Sequence, residues 1–184
     1  SDGKATKPAP NLLANQPLPE QANQAWAGDI TFIPTASGWI YLAVVIDLCS
    51  RRIVGWSLAD HMRRELVIDA LNNALQSRTI PGNLIFHSDR GSQYGSIAFR
   101  NRLQRKGMRQ SMSARANPYD NAWTESFIGT LKREMLRGGT FIDEADARNE
   151  IFDYVEAYYN NQRKHSAIDY LTPNQFEAKI LTLN

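Results

Sequence analysis

Residues 28–59 carry three β-rich segments in direct succession: GDITFIP (28–34), GWIYLAVVID (38–47) after a turn at Ala36-Ser37-Gly38, and RIVGWSLA (52–59). Such a run predicts an antiparallel meander. Beyond residue 60 the chain alternates between helix and strand patterns. RRELVIDALNNALQS (63–77) sets Leu66, Ile68, Ala70, Leu71, Ala74 and Leu75 at helical spacing, and Ile80-Pro81-Gly82 ends that helix. NLIFHS (83–88) is short, apolar and bounded by turn residues, which predicts a buried strand parallel to the first. A helix near 95–106, a strand near 108–112 and two long helices near 120–137 and 143–160 complete the pattern. A meander and then alternating helix and strand imply an α/β protein, with a mixed five-stranded sheet flanked by helices.

At 184 residues the chain is long enough for one domain with a full core. Four of its eight prolines (Pro8, Pro10, Pro17, Pro19) fall in the first 19 residues without helical or alternating periodicity, so residues 1–22 read as an extended arm or linker. Residues 23–184 then form the folded core with a C-terminal helical tail. The apolar run Ile40–Ile46 is far too short to span a bilayer. The single cysteine, Cys49, excludes an internal disulfide and a cysteine-rich zinc site, and fits a reducing compartment. The opening SDGKATKPAP has neither an initiator Met nor an apolar signal region, as expected of an excised or processed piece.

Net charge is only +2, but its distribution is uneven. Arg90, Arg100, Arg102, Arg105, Lys106, Arg109 and Arg115 lie in a stretch without a single acid, whereas 143–156 holds six acids against Arg148 alone. This predicts one electropositive surface and one solvated acidic helix face.

Three acids stand in contexts that need a reason. Asp29 opens a strand, where a buried carboxylate is costly unless paired or metal-bound. Asp89 comes directly after NLIFHS, in HSDRGSQY (87–94), and in open α/β sheets chemistry gathers beyond the carboxyl ends of central strands. Glu125 lies in NPYDNAWTESFIGTLKRE (117–134), at the edge of the stripe formed by Trp123, Phe127, Ile128, Leu131 and Met135. Projected at about 100° per residue, Lys132 falls within about 20° of Glu125. Each acid taken alone also has an ordinary structural explanation: a strand-end turn for Asp29, an Asx turn before Gly91 for Asp89, and a surface pair with Arg133 or Lys132 for Glu125.

The order Asp, Asp, then Glu after 35 intervening residues, with a Lys seven positions on, resembles the retroviral integrase and bacterial transposase superfamily. W-x-x-DIT (26–31), VVIDLCSRRIVGW (44–56), HSDRGSQY, NPYDNAWTESFIGTLKRE and YYNNQRKHSAIDYLTPNQFE (158–177) are similar to OrfB-type transposases of the insertion-sequence-three family over residues 11–177. Trp123 departs from the smaller residue expected there.

The resemblance implies an RNase H-like fold and a polynucleotidyl transferase that frees a 3′-hydroxyl at an element end and then uses it for strand transfer. Asp29, Asp89 and Glu125 would hold two Mg²⁺ or Mn²⁺ ions, and carboxylates suit such hard cations. Lys132, Arg90, Arg102, Arg105, Lys106 and Arg115 are candidates for contacts with DNA phosphates. His87, Asn121, Asn161, Arg163 and His165 are candidates for polar support, with His87 equally explained as a satisfied strand histidine. Asp47 and Asp120 read as structural, the latter as a helix cap. DNA, a homo-oligomer on DNA and an upstream helix-turn-helix region are the implied partners, and the bacterial cytoplasm with its nucleoid is the implied location. The competing readings are an inactive DNA-binding or interaction module and a stand-alone RNase H-like nuclease.

Overall fold

A computed structural model describes residues 7–114, 122–136 and 139–183. The meander forms as expected: β1 (Ala25–Thr35), β2 (Gly38–Asp47) and β3 (Ile53–Ala59) are joined antiparallel. β4 (Ile85–Ser88) then pairs parallel with β1, and β5 (Arg109–Met112) parallel with β4, giving the order β3-β2-β1-β4-β5. β1 reaches three residues further back than its sequence pattern indicated, because Ala25, Trp26 and Ala27 are the positions where it meets β4. From Gly28 to Pro34 it has β2 alone beside it among the described residues, and the side toward β4 is an open edge.

Alternation along the strands feeds two cores, one on each face of the sheet. Trp26, Val45, Val54 and Phe86 face α1 (Arg64–Ser77), the short α2 (Ser92–Gly95) and α3 (Ile97–Arg105). Ala25, Ala27, Ile33, Leu42 and Val44 face α4 (Ala122–Leu131) and α5 (Glu144–Phe152), which contribute Phe127, Leu131, Ala147 and Ile151. Each large apolar side chain among these, fully buried, stabilises the fold by roughly 1.5–3 kcal/mol. The two long helices are not α throughout. α4 passes into wide, π-type turns over Lys132–Leu136, and α5 does so over Asp153–Tyr159.

Short polar residues start α3 and α5. Ser96 Oγ accepts from the Phe99 N–H (3.2 Å), and Asp143 Oδ1 from the Asp146 N–H (2.9 Å). The tail ends in α6 (Pro173–Thr182), which opens with a capping box of Thr172 and Gln175 and Pro173 in its first turn. Glu177 docks this helix: it accepts hydrogen bonds from Ser50 Oγ (2.7 Å), Arg52 and Arg78 while only 6% exposed. The nearby Asp47 accepts the backbone N–H groups of Asn23, Cys49 and Ser50 and so shapes the β2–β3 turn, the structural role read for it from the sequence. Within the Pro-rich N-terminal segment, Pro10 O accepts from Met112 N–H (3.2 Å) and Leu12 N–H donates to Ser111 Oγ (2.9 Å), so the segment lies along β5.

Candidate active site

Asp29 sits just past the point where β1 leaves β4, on the face that α4 covers. Asp89 comes immediately after the last residue of β4, and Glu125 lies in the first turn of α4. Three elements distant in sequence thus bring Asp89 and Glu125 into electrostatic reach of Asp29. Burial pushes the Asp29 carboxyl from its ordinary 3.8 up to about 6. The negative charges of Asp89 and Glu125 add to that rise, and a hydrogen bond from the Ile30 N–H to Oδ1 (2.8 Å) opposes it.

Asp89 and Glu125 are exposed. Among the described residues, no group of three Asp, Glu, His or Cys side chains stands close enough to hold a metal ion as it is. Asp29 is coupled by charge to the other two acids, which are not drawn into one cage with it. The donor set nonetheless fits a hard divalent ion. It offers only carboxylate oxygens, and the half-buried Asp29 bears an electrostatic cost that a cation would offset.

The ordinary explanations divide. Asp89 does make the Asx-type turn, its Oδ1 accepting from the Gly91 N–H at 2.8 Å. Glu125 pairs with neither predicted cation among the described residues: Arg133 donates to Thr130 Oγ1 (3.2 Å), and the Lys132 ammonium lies 4.5 Å from the centroid of the Phe32 ring. Asp29 lies inside a strand and not at its end.

The basic residues are not brought together. Arg90 is beside Asp89 and anchored by Nε to Ser113 O (2.9 Å), and Lys132 continues α4 on the acids' side of the sheet. Arg102, Arg105 and Lys106 belong to α3 and its end, in the opposite layer. α3 leads into Arg109, which is level with Ile85 at the start of β4, whereas Asp89 lies past its end. Arg102 Nε is committed to Asn72 Oδ1 at 2.7 Å. The one electropositive surface expected of this stretch is therefore divided, with Arg90 beside Asp89 and the α3 cations in the other layer, because linear proximity says nothing about which layer a helix joins. Arg115, Asn121 and Asp120 lie outside the described residues.

His87 is buried in β4 with Nδ1 2.8 Å from Ser111 Oγ on β5. Arg163 pairs through Nε with Glu134 Oε1 (3.0 Å), whose other oxygen accepts from the Tyr154 hydroxyl (2.7 Å). His165 packs edge-on against Tyr159, and burial, then the charges of Arg163 and Arg51, lower its pKa to about 4. Asn161 accepts from Asn174 Nδ2 at 2.5 Å. Arg163 and His165 therefore brace the wide-turn end of α4, and Asn161 ties the tail together, so their support is mechanical.

One neighbour of the acids escapes sequence reasoning. A methyl group on Gly28 would stand 2.6 Å from the Phe86 ring and 3.1 Å from the Tyr94 hydroxyl, so glycine there lets both rings pass beside the backbone of Asp29. Tyr94 is buried, and desolvation, then the charges of Asp29 and Asp89, hold its phenol well above the usual range. Its place in HSDRGSQY is the one sequence signal that could have found it.

A parallel-antiparallel sheet of this order, with acids on β1, after β4 and on α4, defines an integrase-type core. Family models agree: one described as "Integrase core domain" matches residues 19–118 and a second of the same description matches 106–173. The chain belongs to the integrase core domain family. A transposase for insertion sequence element IS904 from Lactococcus lactis is 47% identical over 91% of this chain and 66% of its own length. Transposase InsF for insertion sequence IS3A from Escherichia coli is 47% identical over 93% of this chain and 59% of its own. The chain thus spans 59–66% of the length of these relatives. Among solved structures, the simian T-cell lymphotropic virus intasome superposes with a TM-score of 0.72 at 17% identity, covering 95% of this chain and 60% of the matched one. The HTLV-2 integrase catalytic core with magnesium gives 0.63 at 16% identity, covering 85% and 97%. The fold is therefore the RNase H-like fold of retroviral integrase cores.

Proposed function

We propose that this chain is the catalytic core of a bacterial insertion-sequence transposase, and that Asp29, Asp89 and Glu125 are its catalytic carboxylates. The observation that carries this reading is that Asp29 on β1 bears the charge of two acids from separate elements, Asp89 after β4 and Glu125 on α4. Transposase relatives at 47% identity support the substrate class, and the magnesium in the HTLV-2 core supports a divalent ion as the cofactor. Asp29, Asp89 and Glu125 would hold Mg²⁺ or Mn²⁺, which when bound stabilises the charge on the entering and leaving oxygens of an in-line displacement at phosphorus.

The protein's own groups do the rest. Lys132 and Arg90 bind phosphates flanking the reacting bond, and Arg102, Arg105 and Lys106 hold DNA further off. The first reaction hydrolyses a phosphodiester and leaves a 3′-hydroxyl. In the second, that hydroxyl attacks a target phosphodiester, forming one bond as another breaks. A homo-oligomer on DNA, an upstream helix-turn-helix region and a place in the bacterial cytoplasm at the nucleoid belong to the same proposal.

The test is incubation of the longer protein with labelled element ends and Mg²⁺ or Mn²⁺. Cleaved and joined products are expected from the parent. Asp29→Asn, Asp89→Asn and Glu125→Gln should each yield none while remaining folded. Near-parent activity in any one of them would overturn the assignment.

A further inference from the structure

The β1–β2 hairpin leaves two aromatic rings in solvent on the strand that carries Asp29, on the face of the sheet opposite to that carboxylate. Phe32 is 55% exposed and Trp39 58%. They lie edge to face, with ring centroids 5.2 Å apart and an interplanar angle of 82°. In the ladder Phe32 stands opposite Tyr41 and Trp39 opposite Pro34, so both rings project from the same side of the hairpin. The Lys132 ammonium meets Phe32 from the end of α4, 4.5 Å from the ring centroid. That approach crosses the open edge of β1, beyond the last residue paired with β4.

The location is specific. Phe32 is three residues from Asp29 on β1, about 10 Å along the strand and on its other face, and Lys132, seven residues from Glu125 at the far end of α4, reaches it across the open edge. Two of the three elements bearing the acids thus also build this patch. A π-face with a cation beside it matches a nucleotide, whose base is flat and apolar and whose phosphate is anionic. A purely apolar protein surface would have to strip water from the ammonium and offer it nothing in return.

We propose that Trp39, Phe32 and Lys132 form a stacking platform for an unpaired base at a DNA end, with Trp39 offering its exposed face and Lys132 taking the adjoining phosphate. This rests on the reading of the chain as a DNA-processing core. Bases inside a duplex are already stacked, so the platform acts only on a nucleotide splayed from its partner. It therefore favours frayed ends over intact duplex and guides one strand around the open edge of β1, where Lys132 reaches over, toward the acids.

The experiment uses this chain, labelled duplexes with either blunt or unpaired termini, and EDTA to suppress cleavage. Fluorescence anisotropy gives the affinities, and 2-aminopurine at the terminal unpaired position reports stacking. The parent should bind the unpaired-end duplex more tightly and quench the 2-aminopurine. Trp39→Ala should lose about 5- to 150-fold in affinity for the unpaired end, the range of one base–aromatic stack, with blunt-duplex affinity changed less than about twofold. Trp39→Tyr should restore most of the quenching. Far-UV circular dichroism establishes that the variants are folded, as expected for an exposed side chain.

Equal loss on both duplexes overturns the platform, as does a parent that leaves 2-aminopurine unquenched. A change in oligomeric state by light scattering, with DNA affinities untouched, also overturns it and assigns the rings to a contact between copies. A parent that binds neither duplex defeats the DNA-processing reading itself, whereas normal binding of both by parent and Trp39→Ala alike defeats the platform alone.

Discussion

Replacing Asp29 by Asn should stabilise the metal-free protein at neutral pH even as it removes activity. The Asp29 carboxyl is held at about 6 in place of 3.8, first by burial and then by Asp89 and Glu125. At about 1.4 kcal/mol per pH unit, the ionised form costs the fold up to about 3 kcal/mol above pH 6. Partial access to water reduces this to about 1–3 kcal/mol. Asn is nearly isosteric, has an oxygen for the Ile30 N–H, and carries no charge. Between pH 3.8 and about 6 the folded state holds a proton that the unfolded state has lost, so the contribution of Asp29 to stability falls as pH rises through that window. Urea unfolding in EDTA, tracked by circular dichroism, should show the variant more stable than the parent by about 1–3 kcal/mol near pH 7.5, with the gap closing to about 0.5 kcal/mol near pH 4. Added Mg²⁺ should stabilise the parent and not the variant. A variant less stable than the parent at pH 7.5, or a difference indifferent to pH, would refute the claim that burial and like charge burden this carboxylate.

His165, with its pKa lowered to about 4, works in the opposite direction. Its contribution is complete above about 6.5 and is lost as pH falls through about 4, so His165→Gln should weaken the acid destabilisation of the protein by about 1–2 kcal/mol, discounted for its partial exposure, in urea titrations at pH 7 and pH 4.5. Glu177→Ala should cost up to about 3–5 kcal/mol, read as a lower urea midpoint, because it removes the carboxylate shared by Ser50, Arg52 and Arg78, leaves Arg78 with Asp47 alone (3.7 Å), and frees α6 from the turn shaped by Asp47. Lys132→Ala should cut end processing about tenfold or more while Arg105→Glu lowers affinity without that loss in rate, since each phosphate contact contributes mainly to salt-dependent binding and Lys132 lies on the acids' side of the sheet. Gel-shift titrations at about 50 and 200 mM salt, run beside single-turnover cleavage, separate the two effects.

The repeating pattern of side chains along β1, β2, α1 and α4 was enough to predict the strands, the helices and the mixed sheet, because alternation and helical spacing are properties of neighbouring residues. The candidate acids stood out in the sequence for different reasons: Asp29 because a charge in an apolar strand conflicts with burial, Asp89 because it directly follows a strand, and Glu125 through its spacing from Asp89 and the family resemblance. Partners were not legible. Glu177 meets Ser50 across 127 positions and Arg78 across 99, and no local pattern marks either end of such a pair. The basic run from Arg90 to Lys106 looked continuous, yet its first member lies beside Asp89 while α3 carries the others into the opposite layer. Only packing decides which face of the sheet a helix covers. The same holds for Phe32, which reads as an ordinary strand aromatic until the end of β4 pairing at Ala27 leaves an edge over which Lys132 reaches it. Local spacing encodes which side chains each element presents, and sheet order, strand length and layer assignment decide which of them meet.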